Sequence, residues 1–423
     1  MRDKELYRHL LGLSAPWVVA HVELKVAEQQ VDVFVEHQER SAWPCPQCGV
    51  DAPLYDHDEE RCWRHLDSCH FRTVLHGRVP RVRCARDGVR QVRVPWAEPR
   101  SRFTLLFERL AIDVLLETDL EAGSRLLGLS WDEAQGIQAR AVERGLQRRG
   151  QVAPQVMGVD EKCIGRGHQY ATVLTDLERQ CVVDVAPGRS KEALYECLKD
   201  FQMCQLAQVQ AVAMDMAKPY IAGIKEFLPG GADKIVFDRY HIVAQLNDAV
   251  DKVRRQEQVQ LRAKGDARLT GSRYFWLYGA ENVPPHYEQN FGALRNSTLK
   301  TARAWAIKES LRELWNCPTL EAAKAYAKKW YHWASHSRLE PIKQAAAMVK
   351  RHLPNILTYF VHPITNAATE GLNSTLQLLK HRARGFRNFV HFRIAVLFHC
   401  GKLDLYPTEI GRASCRERVS SPV

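Results

Sequence analysis

At 423 residues the chain is too long for one ordinary core, and at roughly 150 residues per domain it implies two to four. Hydrophobic residues make up 45%, enough for packed cores, and 60 Lys and Arg against 49 Asp and Glu give a net charge of +11, which favours an anionic partner and most economically a nucleic acid. No apolar run approaches the roughly 20 residues of a membrane span, and the N-terminus lacks the apolar core of a secretory signal. A cytosolic protein without a membrane partner is therefore expected, with its 12 cysteines as thiols or metal ligands rather than disulfides.

The stretch Trp17 to Leu24 and the stretch Val31 to Val35 alternate with period two and are predicted as paired strands. Cys45-Pro46-Gln47-Cys48-Gly49 follows, a knuckle whose two thiolates can close on one tetrahedral ion. The second half of such a ribbon is expected some tens of residues on. There the chain offers Cys84-Ala85-Arg86-Asp87, with Asp where a second Cys or a His is expected. Cys45, Cys48 and Cys84 are the safest zinc ligands and Asp87 the fourth candidate; Cys62, His65, Cys69 and His70 compete.

Leu105 to Leu116 is predicted as an amphipathic helix. A short helix from Leu120, a Gly-bearing turn at Gly128, a Ser cap and a second helix to about Arg149 come next. That is the outline of a helix-turn-helix, although an ordinary helical hairpin has the same outline. Arg140, Arg144 and Arg148, with Arg149, are spaced to form an outer row that could meet phosphates.

Val156-Met157-Gly158-Val159-Asp160-Glu161 is an apolar strand that ends on two acids. A carboxylate there is costly to bury unless it is paired or bound to a metal; a solvated strand end is the plainer reading. His168 to Leu174 and Cys181 to Val185 read as two further strands, and a helix follows from Ser190. A fourth strand runs from Val209 to Asp215, a helix from Pro219 to Phe227, and a fifth strand from Lys234 to Asp238 and His241. Acids at the tips of the first, fourth and fifth strands are expected along one edge of a mixed sheet. From about Gln245 to Asn355 the pattern is helical and basic, with Trp276, Trp305, Trp315, Trp330 and Trp333 read as core rather than as a base-stacking platform. A last helical block carries Thr369-Glu370-Gly371-Leu372-Asn373 and then the basic run Lys380, Arg382, Arg384 and Arg387, suited to clamping a DNA backbone. Residues Ile410 to Val419 look like the in-frame translation of a sequencing-adapter oligonucleotide. The native sequence is expected to diverge after about Thr408.

Gly158-Val159-Asp160-Glu161, Ala211 to Met216, Phe237-Asp238-Arg239-Tyr240-His241 and Thr369 to Asn373 with its basic follow-on together resemble the ISL-three family of insertion-sequence transposases over nearly the whole chain. The resemblance implies an α/β protein: a ribonuclease H-like catalytic domain with a helical insertion, preceded by a small zinc-ribbon-like segment and a helix-turn-helix. The implied boundaries are 1–100 for the ribbon-like domain, 101–150 for the helix-turn-helix, 151–245 and 355–408 for the two parts of the catalytic domain, and 246–354 for the insertion. It further implies a triad of Asp160, Asp215 and Glu370 holding two Mg²⁺ or Mn²⁺ ions, with Asp238, His241 and Asn373 in support and Asp238 the rival for the second position. The residue types suit the chemistry, since two ions about 4 Å apart activate an attacking hydroxyl and stabilise the leaving oxygen of a phosphodiester. Expected partners are double-stranded DNA, as terminal inverted repeats and target, and further copies of the chain. The setting is the bacterial cytoplasm in association with the nucleoid. A catalytically inactive DNA-binding regulator on the same fold is the alternative.

Overall fold

The computed structural model describes residues 3–39, 42–150, 152–165, 169–364, 367–383 and 385–408, the side chains of 367–370 excepted. Residues 409–423, with the adapter-like tail, lie outside it, as do His168 and Arg384. Two compact units emerge: residues 1–150 with the chain from Leu403 onward, and residues 151–402. No helix among the described residues is long and apolar enough to cross a membrane.

The first unit begins with α1 (Asp3–Leu10) and a sheet of β1 (Trp17–Lys25), β2 (Gln30–His37), β3 (Ala42–Pro44), β4 (Asp51–Arg64), β5 (Arg72–Cys84) and β6 (Gly88–Gln91). The order is β1-β2-β5-β4-β3, with β6 also on β5. β1 and β2 pair antiparallel as their alternation predicts, with Val22 opposite Val33. Parallel pairing of β2 with β5 then buries Val33, Trp63, Leu75 and Val82 in one core. Three helices follow, α2 (Leu105–Glu117), α3 (Leu120–Leu127) and α4 (Trp131–Arg149). Asp119 caps α3 by accepting from the Ala122 N–H at 2.8 Å. Gly128 closes that helix in the left-handed region at φ 63°, and Ser130 opens α4 with a reciprocal capping box to Glu133. Such a cap contributes about 1 kcal/mol. Gly123 is fixed by close approach: a Cβ there would sit 2.7 Å from both Leu115 and Thr118 side-chain atoms.

The second unit holds β7 (Val156–Cys163), β8 (Tyr170–Asp176), β9 (Cys181–Pro187), α5 (Lys191–Leu198), α6 (Met203–Ala207), β10 (Ala211–Met214), α7 (Lys218–Phe227), α8 (Gly231–Lys234) and β11 (Ile235–Phe237). The helices α9 (Arg239–Arg262), α10 (Pro285–Arg295), α11 (Lys300–Arg312), α12 (Leu320–Ser335), α13 (Glu340–Leu357), α14 (Ala367–Arg382) and α15 (Phe389–Cys400) complete it. The sheet order is β11-β10-β7-β8-β9. β7, β8 and β9 form an antiparallel meander, and β10 and β11 add in parallel on the other side of β7.

The fifth strand, expected from Lys234 to His241, is shorter, because Asp238 leaves it to cap α9, its side chain accepting from the Tyr240 N–H at 2.9 Å. α9 then runs without interruption past residue 246, and the helical region shares one continuous core with the sheet. Trp276, Trp305, Trp315 and Trp330 are buried in that core as predicted, while Trp333 is exposed.

Candidate functional site

Strand register brings the three strand-tip acids together. Val159 of β7 pairs with Met214 of β10, and Met214 with Phe237 of β11, so the next residue of each strand is Asp160, Asp215 and Asp238. Parallel neighbours lie about 4.8 Å apart, which sets Asp215 directly beside Asp160 and Asp238 one strand further out. Apolar strands dictate this: Val159, Met214 and Phe237 are buried, and the chain turns polar where the sheet ends.

Each acid has its own partners. Asp160 accepts from Asn373 Nδ2 of α14 at 2.9 Å and pairs with Lys162 Nζ at 3.2 Å. Asp215 accepts from the Ala217 N–H at 2.9 Å, at the start of α7. Asp238, besides capping α9, has His241 Nε2 4.0 Å away. The carboxyl of Glu161 is raised by burial and, despite Arg189, by the charges of Asp215 and Asp160. Negative charge therefore accumulates at this edge, an arrangement a divalent cation would neutralise, and oxygen donors are what Mg²⁺ accepts. Among the described residues the compact metal-ligand clusters lie elsewhere, in the first unit.

Glu370 belongs to α14 three residues before Asn373; its side chain is outside the described residues. Lys380 donates to the Cys163 carbonyl at 3.0 Å, while Arg382 and Arg387 are exposed. Lys162 went unnoticed in the sequence, although period two sets it on the same face of β7 as Asp160.

In the first unit Cys45, Cys48, Cys84 and Asp87 converge, their ligand atoms all within 4.8 Å of one another. Asp87 Oδ2 lies 3.3 Å from Cys45 Sγ and 3.4 Å from Cys84 Sγ, and Cys48 Sγ lies 3.5 Å from Cys84 Sγ. Three sulfurs and one oxygen at such spacing fit a tetrahedral zinc ion. The Val50 N–H favours the Cys48 thiolate, but Asp87, burial and the two neighbouring sulfurs together push its thiol up to about 12, a crowding of anionic donors that a dication would relieve. The rival ligands are elsewhere: His65 is buried against Thr104, and Cys62 belongs to a second group with Glu60 and His76. Glu60 and Cys62 carry the signal of two ligands at period two on one strand face.

The expectation of an outer arginine row on α4 needs correction at Arg144. Arg144 is buried. It forms a two-pronged pair with Glu98 at 2.8 and 2.7 Å, reaches Glu108 at 3.1 Å and donates to the Leu405 carbonyl. Arg140 binds the same buried Glu108 at 2.6 Å. Arg148 donates to the Tyr406 carbonyl at 2.6 Å and pairs with Asp404 at 2.9 Å. Acids and carbonyls distant in sequence bury Arg144 and engage Arg140 and Arg148, of which Arg148 stays exposed.

A mixed α/β protein with a thiolate-rich metal knuckle, a helix-turn-helix and acids at the tips of parallel strands is the class that fold and site define. Residues 157–396 match a family model described as a transposase, residues 41–87 one described as the zinc-finger of transposase IS204/IS1001/IS1096/IS1165, and residues 92–142 one described as the helix-turn-helix domain of transposase family ISL3. The chain belongs to the ISL3 transposase family. It is 26% identical over 358 residues to the transposase for insertion sequence element IS1001 of Bordetella parapertussis, covering 83% of this chain and 87% of that one. To the transposase for insertion sequence element IS1557 of Mycobacterium tuberculosis it is 27% identical over 419 residues, covering 92% and 93%. The zinc-finger match coincides with the Cys45, Cys48, Cys84 and Asp87 cluster, and the helix-turn-helix implies DNA binding.

Proposed function

We propose that the chain binds the terminal inverted repeats of its insertion sequence and catalyses metal-dependent DNA strand cleavage and transfer, with Asp160, Asp215 and Glu370 as the acidic triad. The observation that carries this reading is the register Val159–Met214–Phe237, which makes Asp215 rather than Asp238 the immediate neighbour of Asp160. Asn373 supports the third member: it bonds Asp160, and Glu370 precedes it by three residues in the same helix, a spacing that shares a helix face. An antiparallel meander of three strands extended by two parallel ones supports a ribonuclease H-like sheet. On this reading 151–245 and 355–408 make up the catalytic domain, 246–354 is its helical insertion, and 1–100 and 101–150 are the ribbon and the helix-turn-helix.

Asp160, Asp215 and Glu370 would hold a pair of Mg²⁺ or Mn²⁺ ions, which would supply an activated hydroxyl and a stabilised leaving oxygen. Asn373 fixes the Asp160 carboxylate, and Lys162 offsets its charge until the site is loaded. Asp238 and His241 border the acids from β11. Lys380 and Arg382 in the last turn of α14, with Arg384 and Arg387 further along the sequence, are the proposed contacts for the DNA backbone, and synapsis of two ends calls for at least a dimer.

The test is nicking at the element terminus by purified protein with Mg²⁺ or Mn²⁺. Asp160→Ala, Asp215→Ala and Glu370→Ala should each abolish it and leave end binding intact. Full activity in Asp215→Ala with loss in Asp238→Ala would overturn the triad, and end binding without any cleavage by the native chain would leave a DNA-binding regulator.

A further inference from the structure

We propose that Glu60, Cys62 and His76 form a second zinc site, separate from the ribbon, with three protein ligands and a fourth position open to solvent. Cys62 of β4 and His76 of β5 are direct cross-strand partners, and Glu60 lies two residues before Cys62 on the same strand. Cys62 Sγ lies 3.2 Å from His76 Nδ1, and Glu60 Oε1 lies 3.4 Å from the same nitrogen. Ligand atoms of a tetrahedral zinc with bonds of about 2.0–2.3 Å stand roughly 3.4–3.6 Å apart, so little movement is needed to close on an ion.

The second observation is how the imidazole is held. Its Nε2 faces Asp32 Oδ1 at 2.8 Å, and the Asp32 side chain is fully buried. Phe34 stacks on the ring at 4.7 Å between centroids. A carboxylate on the far nitrogen is the usual support of a metal-ligating histidine, fixing the tautomer that leaves the other nitrogen free to ligate. Lys25 also pairs with Asp32 at 2.7 Å, so the buried carboxylate has a second, permanent partner. With the proton on Nε2, the Nδ1 turned toward Cys62 Sγ and Glu60 Oε1 is the nitrogen through which His76 would ligate, with the sulfur and the carboxylate oxygen completing the set.

One sulfur, one imidazole nitrogen and one carboxylate oxygen form a set suited to zinc rather than to Mg²⁺ or Ca²⁺. Cys84 of the ribbon is eight residues beyond His76 on β5, up to roughly 26 Å away, too far for the two sites to share an ion. Glu60 and Cys62 are exposed, which leaves room for a water or an incoming ligand.

The experiment compares the full native chain with Cys62→Ser by zinc content after dialysis against buffered zinc, and by the thiolate-to-metal absorption of the cobalt-substituted proteins. Carboxylate sites are silent in that band. Cys62→Ser is expected to hold one zinc fewer per chain and to lose one thiolate's share of the band, with circular dichroism unchanged. Equal zinc content and an equal band in the two proteins overturn the proposal. Should Cys62→Ser fail to fold, Glu60→Gln carries the same comparison: loss of one zinc equivalent supports the site and an unchanged zinc content refutes it.

Discussion

Arg144→Ala separates an architectural arginine from a DNA contact. Arg144 makes two bonds to Glu98, one to Glu108 and one to the Leu405 carbonyl, and the Glu108 side chain is 1% exposed. Removing one partner of a buried ion pair costs about 3–5 kcal/mol, because the remaining charge is left uncompensated. Arg140 and the Ser101 hydroxyl, at 2.6 and 2.8 Å from Glu108 Oε1, keep that carboxylate paired although its Oε2 loses the bond from Arg144, so the lower end, about 3 kcal/mol, is expected. For a unit of this size that lowers the melting temperature by roughly 6–12 °C. Thermal unfolding followed by circular dichroism measures it. DNA binding measured below the transition as a function of salt should retain its slope, since a phosphate contact would remove about one unit from it. An unshifted melting temperature together with a salt slope lower by about one would refute the assignment.

Two further outcomes concern the first unit. Burial, with Arg64 adding to it, pushes His65 down to about 4, below the ordinary 6.5 of an unfolded chain. Between these values the unfolded state binds the extra proton, so stability is full above about pH 6.5 and falls as the pH drops toward 4, by about 3 kcal/mol in all; denaturation midpoints across that window should flatten in His65→Gln. Asp87→Ala should weaken zinc retention against a competing chelator by more than the roughly 10–100-fold typical of losing an outer-shell partner, whereas Asp87→Cys should retain the metal.

Local pattern alone determined much of this protein. Alternation in β1 and β2, the apolar runs of β7, β8 and β9, the caps at Asp119 and Ser130, and the C-x-x-C knuckle are each written within a few residues, and the structure realises them. The convergence of Cys45, Cys48, Cys84 and Asp87 was legible because zinc chemistry restricts residue types and spacing. Tertiary structure decided what depends on partners far along the chain. Asp215 and Asp238 look alike as apolar strands ending in an acid, and only the pairing of β10 with β7 separates them. Asn373 meets Asp160 from 213 residues away, beyond any periodicity. Arg140, Arg144 and Arg148 form a basic row at helical spacing, yet Glu98 and Glu108, 46 and 36 residues from Arg144, bury Arg144 while Arg148 stays exposed. Spacing fixes which face of a helix a residue shares, whereas burial depends on what packs against that face.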